Sequence, residues 1–411
     1  MSPTYADQAG TLPRIVVDTS AVGIVREILG TLGVPASEES RHPELRLTRL
    51  AFTLEPEDSL DALLAEVRRR AAQGHGGWTP AIGKDREASS PMTTSGHSCI
   101  MSGGPAALPV GIASGHSRIM GLGAPSPDLS GEPGSMALIP GALSQVPGVA
   151  GIGYPVLTEE PTDSDDFHPP AGGGPRIGWV DTELADLDVP EGTTANAWEA
   201  HSAFVRDLIR QIAPASDEPI LHGVLNRKGG RGDLWDVAVA MVDLVLLEKV
   251  DILLLPLATY TVDGLPPLLL SRAMEVIGDK CLIIAAAGNH FELLTWKGDR
   301  CTTSSAWPAA FPEVQAVGAQ SDGFGPALPP WVDAFTPGST FEARFFKGWV
   351  TIDDQTPDPV EFHGAARWAG TSFSAAHAAG LVAARMSATG NTAAEAWDAL
   401  LAEGKAQVRL S

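Results

Sequence analysis

Four short apolar runs between residues 176 and 288 constrain the fold of the chain more than any other feature. They are "RIGWVD" (176–181), "PILHGVL" (219–225), "VDILLLPLA" (250–258) and "CLIIAAAG" (281–288). Each has strand length, and "VQAVGAQ" (314–320) adds a fifth. Helical periodicity fills the gaps, at 199–212, in "DLWDVAVAMVDLVLLE", where Asp233 is a candidate N-cap, and in "LPPLLLSRAMEVIG". Continuous apolar strands alternating with helices specify an α/β fold, a parallel sheet covered by helices on both faces. Function in such a sheet sits at the carboxyl ends of the strands. The residues there are Asp181, Leu257 to Tyr260, and Asn289.

The rest of the chain divides by composition. Residues 1–72 read as a small α/β unit: "RIVVD" as a strand, "AVGIVREILGTLG" as a helix, "LRLTRLAFTL" as a second strand, and "EDSLDALLAEVRRRAAQ" as a second helix. Acidic residues open that second helix and arginines come late, an order that suits the helix dipole. Residues 73–172 are rich in Gly, Pro and Ser, with little periodicity, and read as a linker or cover. They hold a near-repeat, "SGHSCIM" (95–101) and "SGHSRIM" (114–120). His97 and His116 have no further ligands at metal spacing, so a duplicated extended or turn element is the simpler reading. Residues 173–411 form the main domain.

A net charge of −22 argues against nucleic acid and anionic membrane as partners, because phosphates would be repelled. The longest apolar stretches are broken by charge or too short to cross a bilayer. No basic start leads into an apolar run at "MSPTYADQAGTLPR", so no signal peptide is visible and a cytoplasmic location is expected. Cys99, Cys281 and Cys301 lie far apart, which fits free thiols rather than a metal site or a disulfide framework. No metal and no cofactor is implied.

Chemistry enters with "WAGTSFSAAHAAGLVAARM", where Ser372 follows Gly370 and Thr371 at the start of a long alanine-rich helix. The first-turn N–H groups of such a helix are free to face an oxyanion. Alone, the serine reads as a helix N-cap, since a nucleophile needs a base and a group to orient that base. Here the chain resembles the subtilases, the subtilisin-like serine peptidases. "GTSFSAAHAAG" is similar to the family's serine motif, "LIIAAAGN" to its oxyanion-hole strand, and "IGWVDTEL" to its aspartate strand. "WPAAFPEVQAVGAQ" resembles the segment that links the oxyanion region to the next strand. The resemblance covers roughly 175–390, with the motifs in the order Asp, His, Ser.

The resemblance implies Ser372 as nucleophile, Asp181 as the group that orients the imidazole, and Asn289 as an oxyanion donor beside the Ser372 N–H. It implies substrate binding by Leu257, Ala258 and Thr259, where an extended peptide would add as a strand, and by Ala286, Ala287 and Gly288. Two histidines compete for the base. His222 has the familiar "HG" but sits in an apolar run that reads as an interior strand. His201 opens "HSAFVRDLIRQIAP", where Phe204, Val205, Leu208, Ile209 and Ile212 recur at helical spacing. That is the place of the family's histidine helix, so His201 is the expected base. His377 lies five residues past Ser372 on one helix and points away. His290 reads as a bystander.

The departures from the family pattern concern Ser202, Ala203 and Asp207, in place of glycine, threonine and glycine, together with Ala376 and Pro256. Ser202 is expected to press the helix outward. Pro256, with no N–H, is expected to lose one substrate contact. The expected function is a serine endopeptidase acting on a peptide or protein substrate through an acyl-enzyme, with no oligomeric state implied. The open alternatives are a catalytically silent peptide-binding fold and a ligase or macrocyclase using the same acyl-enzyme. Residues 1–72 stand as either a removable prodomain or a retained accessory domain.

Overall fold

The computed structural model describes residues 13–54, 59–89, 119–121, 173–227, 230–261, 264–288, 305–319, 331–336, 341–351, 359–368 and 370–410. Asn289, His290, His97, Cys99, His116 and Cys301 lie outside them. The chain forms two compact units. The first comprises Met1–Glu87, Asp233–Val242 and Pro266–Gly278, and the second the remainder.

In the smaller unit, β1 (Arg14–Asp18), α1 (Val22–Thr31), β2 (Ser37–His42), β3 (Leu47–Ala51), α2 (Leu60–Gly74) and β4 (Ile82–Lys84) follow one another. The strands form an antiparallel sheet in the order β2-β3-β1-β4, which carries the unit past residue 72. Alternate residues Ile15 and Val17 of β1 face a core with Val25 and Leu29 of α1 and Leu64 and Val67 of α2. β2 escapes a reading by apolar pattern because "SEESRH" is almost wholly exposed; backbone pairing to β3 defines it. The dipole expectation for α2 holds at its start, where Asp61 lies in the first turn, and is corrected at its end. The helix runs on to Gly74 with no basic residue in its last turn, and Arg69 and Arg70 turn back to Glu66 at 2.6 and 2.8 Å.

A charge cluster lies in this unit. Arg49 reaches Glu39 at 3.1 Å, Asp85 at 3.4 Å and Asp233 at 3.5 Å, and its guanidinium sits 5.3 Å above the Trp235 ring. Asp233 directly precedes the helix that begins at Leu234, the position expected of its cap, and its carboxylate pairs with Arg14 at 2.9 Å and with Arg49.

Onward in chain order come β5 (Glu87–Ser89), β6 (Ile119–Gly121), β7 (Ile177–Thr182), β8 (Ala195–Asn196), α3 (His201–Ile212), β9 (Ile220–Leu225), β10 (Arg231–Asp233) and α4 (Leu234–Leu246). Then follow β11 (Ile252–Leu255), β12 (Thr259–Tyr260), α5 (Leu268–Ile277), β13 (Leu282–Ala286), β14 (Ala306–Trp307), β15 (Gln315–Ala319) and β16 (Ala334–Thr336). The chain closes with β17 (Phe341–Thr351), β18 (Val360–Trp368), α6 (Thr371–Thr389) and α7 (Ala393–Leu410).

The larger unit is built on a six-stranded parallel sheet in the order β16-β15-β13-β11-β7-β9. This is the parallel α/β sheet that the apolar runs specify. His222, expected in an interior strand, is corrected: β9 ends the strand order, and His222 is half-buried opposite Val180. Helix α6 is buried along most of its length because Ala, Ser and Gly line it on every side. At Gly380 it meets α3 so closely that a Cβ would lie 2.9 Å from Cβ of Ile212. A second sheet, in the order β6-β18-β17-β8, closes the unit. Its long antiparallel pair β17–β18 leads directly into the start of α6.

Candidate active site

Asp181 sits near the carboxyl end of β7, where the pairing with β9 slips by one residue between Asp181 and Thr182. Such a bulge re-aims a side chain. Gly223 is the residue opposite Asp181, and a Cβ there would lie 2.7 Å from the Cα of Glu183, so the close approach needs glycine. The carboxylate accepts the Thr182 N–H at 2.7 Å and faces His201.

His201 owes its place to a capped turn. The Asn196 side chain accepts the Trp198 N–H at 3.0 Å, and Glu199 accepts the Asn196 N–H at 3.3 Å. This reciprocal box fixes a helical turn, Ala197–Ala200, that runs straight into α3. His201 therefore opens the helix, with its imidazole on the buried side. Its Nδ1 lies 2.8 Å from each oxygen of Asp181. Both side chains are buried. Nε2 has no hydrogen-bond partner among the described residues. Ser202, in place of a glycine, donates its hydroxyl to the Glu183 carbonyl at 3.2 Å.

The imidazole is walled by aromatic rings. Phe373 lies 5.3 Å from it, centroid to centroid, and Trp368 meets it edge to face at 6.0 Å. Trp368 belongs to the β17–β18 pair, which has no counterpart among the sequence expectations. The alternation of "FEARFF", with Phe341, Ala343 and Phe345 buried and Glu342 and Arg344 exposed, is the signal that identifies it.

Ser372 lies in the first turn of α6, beside Phe373, and is fully buried. Its hydroxyl donates to the Pro256 carbonyl at 3.0 Å, not to an imidazole nitrogen. Thr371 accepts the Gly288 N–H at 3.2 Å. Two bonds thus stitch the start of α6 to the ends of β11 and β13. The second ties the backbone just before Asn289 to the residue just before Ser372.

Leu257, Ala258 and Thr259 follow β11 and are buried. Thr259 pairs across to Trp307 in β12–β14. Ala286 ends β13. Ala287 is committed inside the fold: its N–H donates to the Val317 carbonyl at 3.0 Å and its carbonyl accepts the Trp331 indole at 3.3 Å. With the Gly288 N–H also engaged, the backbone here holds the sheet together.

The remaining candidates carry no comparable arrangement. His377 lies against Phe341 at 5.4 Å, and burial pushes its imidazole down to about 4. Burial pushes the Cys281 thiol up to about 12, which leaves it unreactive. Among the described residues no group of His, Cys, Asp and Glu could hold a metal ion, and no helix is long and apolar enough to cross a membrane.

A model of the Subtilase family matches residues 258–405. The match takes in Ser372 and the Asn289 position, and it begins after Asp181 and His201. Together with the fold it bears out the resemblance read from the motifs. Among solved structures, the chain is similar to fervidolysin from Fervidobacterium pennivorans, a keratinolytic enzyme related to subtilisin. The identity is 12%, the TM-score 0.53, and the alignment covers 94% of this chain and 56% of that one. At that identity the likeness is one of fold. The prenylagaramide maturation protease PagA aligns over 52% of this chain and 76% of its own, with 18% identity and a TM-score of 0.38. A lanthipeptide protease aligns over 55% and 78%, with 19% identity and a TM-score of 0.40. No curated protein matches the chain by sequence.

Proposed function

We propose that this chain, subtilisin-like in fold and subtilase-like in its serine segment, is a serine peptidase that hydrolyses a peptide or protein through an acyl-enzyme. One observation carries the reading. Asp181 and His201 form a buried pair with Nδ1 held 2.8 Å from both carboxylate oxygens, which fixes the proton on Nδ1 and leaves Nε2 as a bare acceptor. That is the tautomer a general base requires. In the reaction, Nε2 takes the proton from the Ser372 hydroxyl as Oγ attacks the scissile carbonyl carbon. The hydroxyl first gives up its bond to the Pro256 carbonyl. Negative charge on the tetrahedral oxygen meets the Ser372 N–H in the first turn of α6 and the Asn289 amide. The imidazolium, stabilised by Asp181, gives its proton to the leaving amine as the C–N bond breaks. Water then hydrolyses the ester by the same route.

Peptide would approach along Leu257 and Ala258 as an added strand. A fluorophosphonate probe tests the assignment. The probe is expected to label Ser372, His201→Ala to abolish labelling, and His222→Ala to leave it intact. Labelling that survives His201→Ala would overturn it. A second reading, a peptide-binding fold without turnover, draws on the Ser372–Pro256 bond. Peptide binding with no product, unchanged in Ser372→Ala, would favour it.

A further inference from the structure

Asp207 occupies a position where the resembling family carries a small residue, and a buried carboxylate without purpose would be costly. Here it is fully engaged. It lies on α3, beyond His201, and is almost completely buried. Its Oδ2 accepts the Arg344 backbone N–H at 2.7 Å and the Gln211 side-chain amide at 3.0 Å. The Arg344 guanidinium adds a contact to Oδ1 at 3.5 Å. Gln211, one turn along the helix, also donates to the Glu342 carbonyl at 3.2 Å.

These contacts form a pattern. A strand presents the carbonyl of one residue and the N–H of the next but one along the same edge. Asp207 and Gln211 meet that pair on β17, at Arg344 N–H and Glu342 C=O. β8 pairs with β17 only further along, at Val350 and Thr351. Over 342–344 two helix side chains therefore do what a neighbouring strand does elsewhere. The β17–β18 register slips between Arg344 and Lys347, immediately after this point.

We propose that Asp207 and Gln211 are positioning residues, a polar clamp that sets the β17–β18 pair against α3 and so fixes the aromatic wall around His201. The path is short. β17 supplies Phe345, which meets Trp368 edge to face at 5.6 Å, and Trp368 meets both His201 and Phe373. Phe373 adjoins Ser372. Loosening the clamp lets β18 shift, and with it the ring that limits imidazole rotation. Where turnover is concerned, the clamp rests on the Asp181–His201–Ser372 reading.

The test uses the full chain and two readouts: the rate of fluorophosphonate labelling at Ser372, and the downfield proton resonance of His201 Nδ1–H. Asp207→Ala is expected to broaden or shift that resonance and to slow labelling about 10- to 100-fold. Asp207→Asn keeps an oxygen for the Arg344 N–H and is expected to recover labelling to within about 3-fold of the parent chain. If Asp207→Ala fails to fold, Gln211→Leu, which removes the donor to both Asp207 Oδ2 and the Glu342 carbonyl but leaves the Arg344 N–H on Asp207, is expected to shift the resonance in the same sense. An Asp207→Ala resonance and labelling rate equal to the parent's would overturn the clamp. So would an asparagine variant no better than alanine, or, in the fallback, an unshifted Gln211→Leu resonance. A parent chain that does not label at all sinks the triad reading, while the resonance comparison still decides the clamp.

Discussion

Asp85→Asn probes how the small unit tolerates a buried charge. The Asp85 carboxylate is 3% exposed. Among the described residues one oxygen has no partner, and the other has only a 3.4 Å contact to an Arg49 guanidinium that is shared with Glu39 and Asp233. Burial, and then the like charge of Asp233, push its pKa from 3.8 up to about 6, against the pull of Arg49 and Arg14. A shift of roughly two units corresponds to about 3 kcal/mol. Because the folded unit binds this proton more tightly than the unfolded chain, the stabilisation is complete below pH 3.8 and is lost as pH rises to about 6. Above that the parent chain carries the whole penalty. Asparagine has the same shape and no charge, so the variant lacks this slope. Its gain at alkaline pH is about 1–3 kcal/mol, reduced because Arg49 loses one acidic neighbour. Hydrogen exchange of the β1 and β3 amides in the full chain, corrected for intrinsic rates, reads this stability. Parallel pH profiles for the parent and Asp85→Asn across that interval would refute the reasoning.

Two further outcomes follow from packing and burial in the larger unit. Gly380→Ala forces a methyl within 2.9 Å of Ile212 Cβ, so it is expected to lower stability by about 1–3 kcal/mol, read as a fall in denaturation midpoint at unchanged m-value. An unchanged midpoint would show that α3 and α6 separate freely. His377 responds to pH in the opposite sense to Asp85. With its imidazole held down at about 4 from 6.5, the unit keeps full stability above pH 6.5 and loses about 3 kcal/mol as pH falls toward 4. Calorimetry should find a shallower acid limb in His377→Leu, and equal limbs would contradict the burial argument.

The sheet was legible because parallel strands buried on both faces must be continuously apolar, and "ILLL" and "LIIAA" are. The pairing of His201 with Asp181 was legible from register, since "HSAFVRDLIRQI" has a helical stripe that puts its first residue at a helix start. The fate of the Ser372 hydroxyl was not, because nothing local in sequence announces a bond to a carbonyl 116 positions away. β2 was hidden by its polarity. The second sheet was hidden for another reason: β17 alternates, but β8, which pairs with it, and β6, which pairs with β18, both lie far earlier in the chain, and pairing that remote leaves no local trace. Asp207 read as a mere departure from a motif until its acceptor role on β17 gave it a purpose.

The stitching of α6 to the ends of β11 and β13 also fixes the order in which the site comes into being during synthesis. Asp181 and His201 are 20 positions apart and share one strand-to-helix connection, so their pair can form while the ribosome is still making the sheet. Ser372, the proposed nucleophile, arrives far later, after β17 and β18. It reaches its place only when α6 slots between strand ends already laid down. A nascent chain shorter than this helix holds the Asp181–His201 pair without Ser372. On the proposed function, a growing copy stays inert until α6 has been made and has folded.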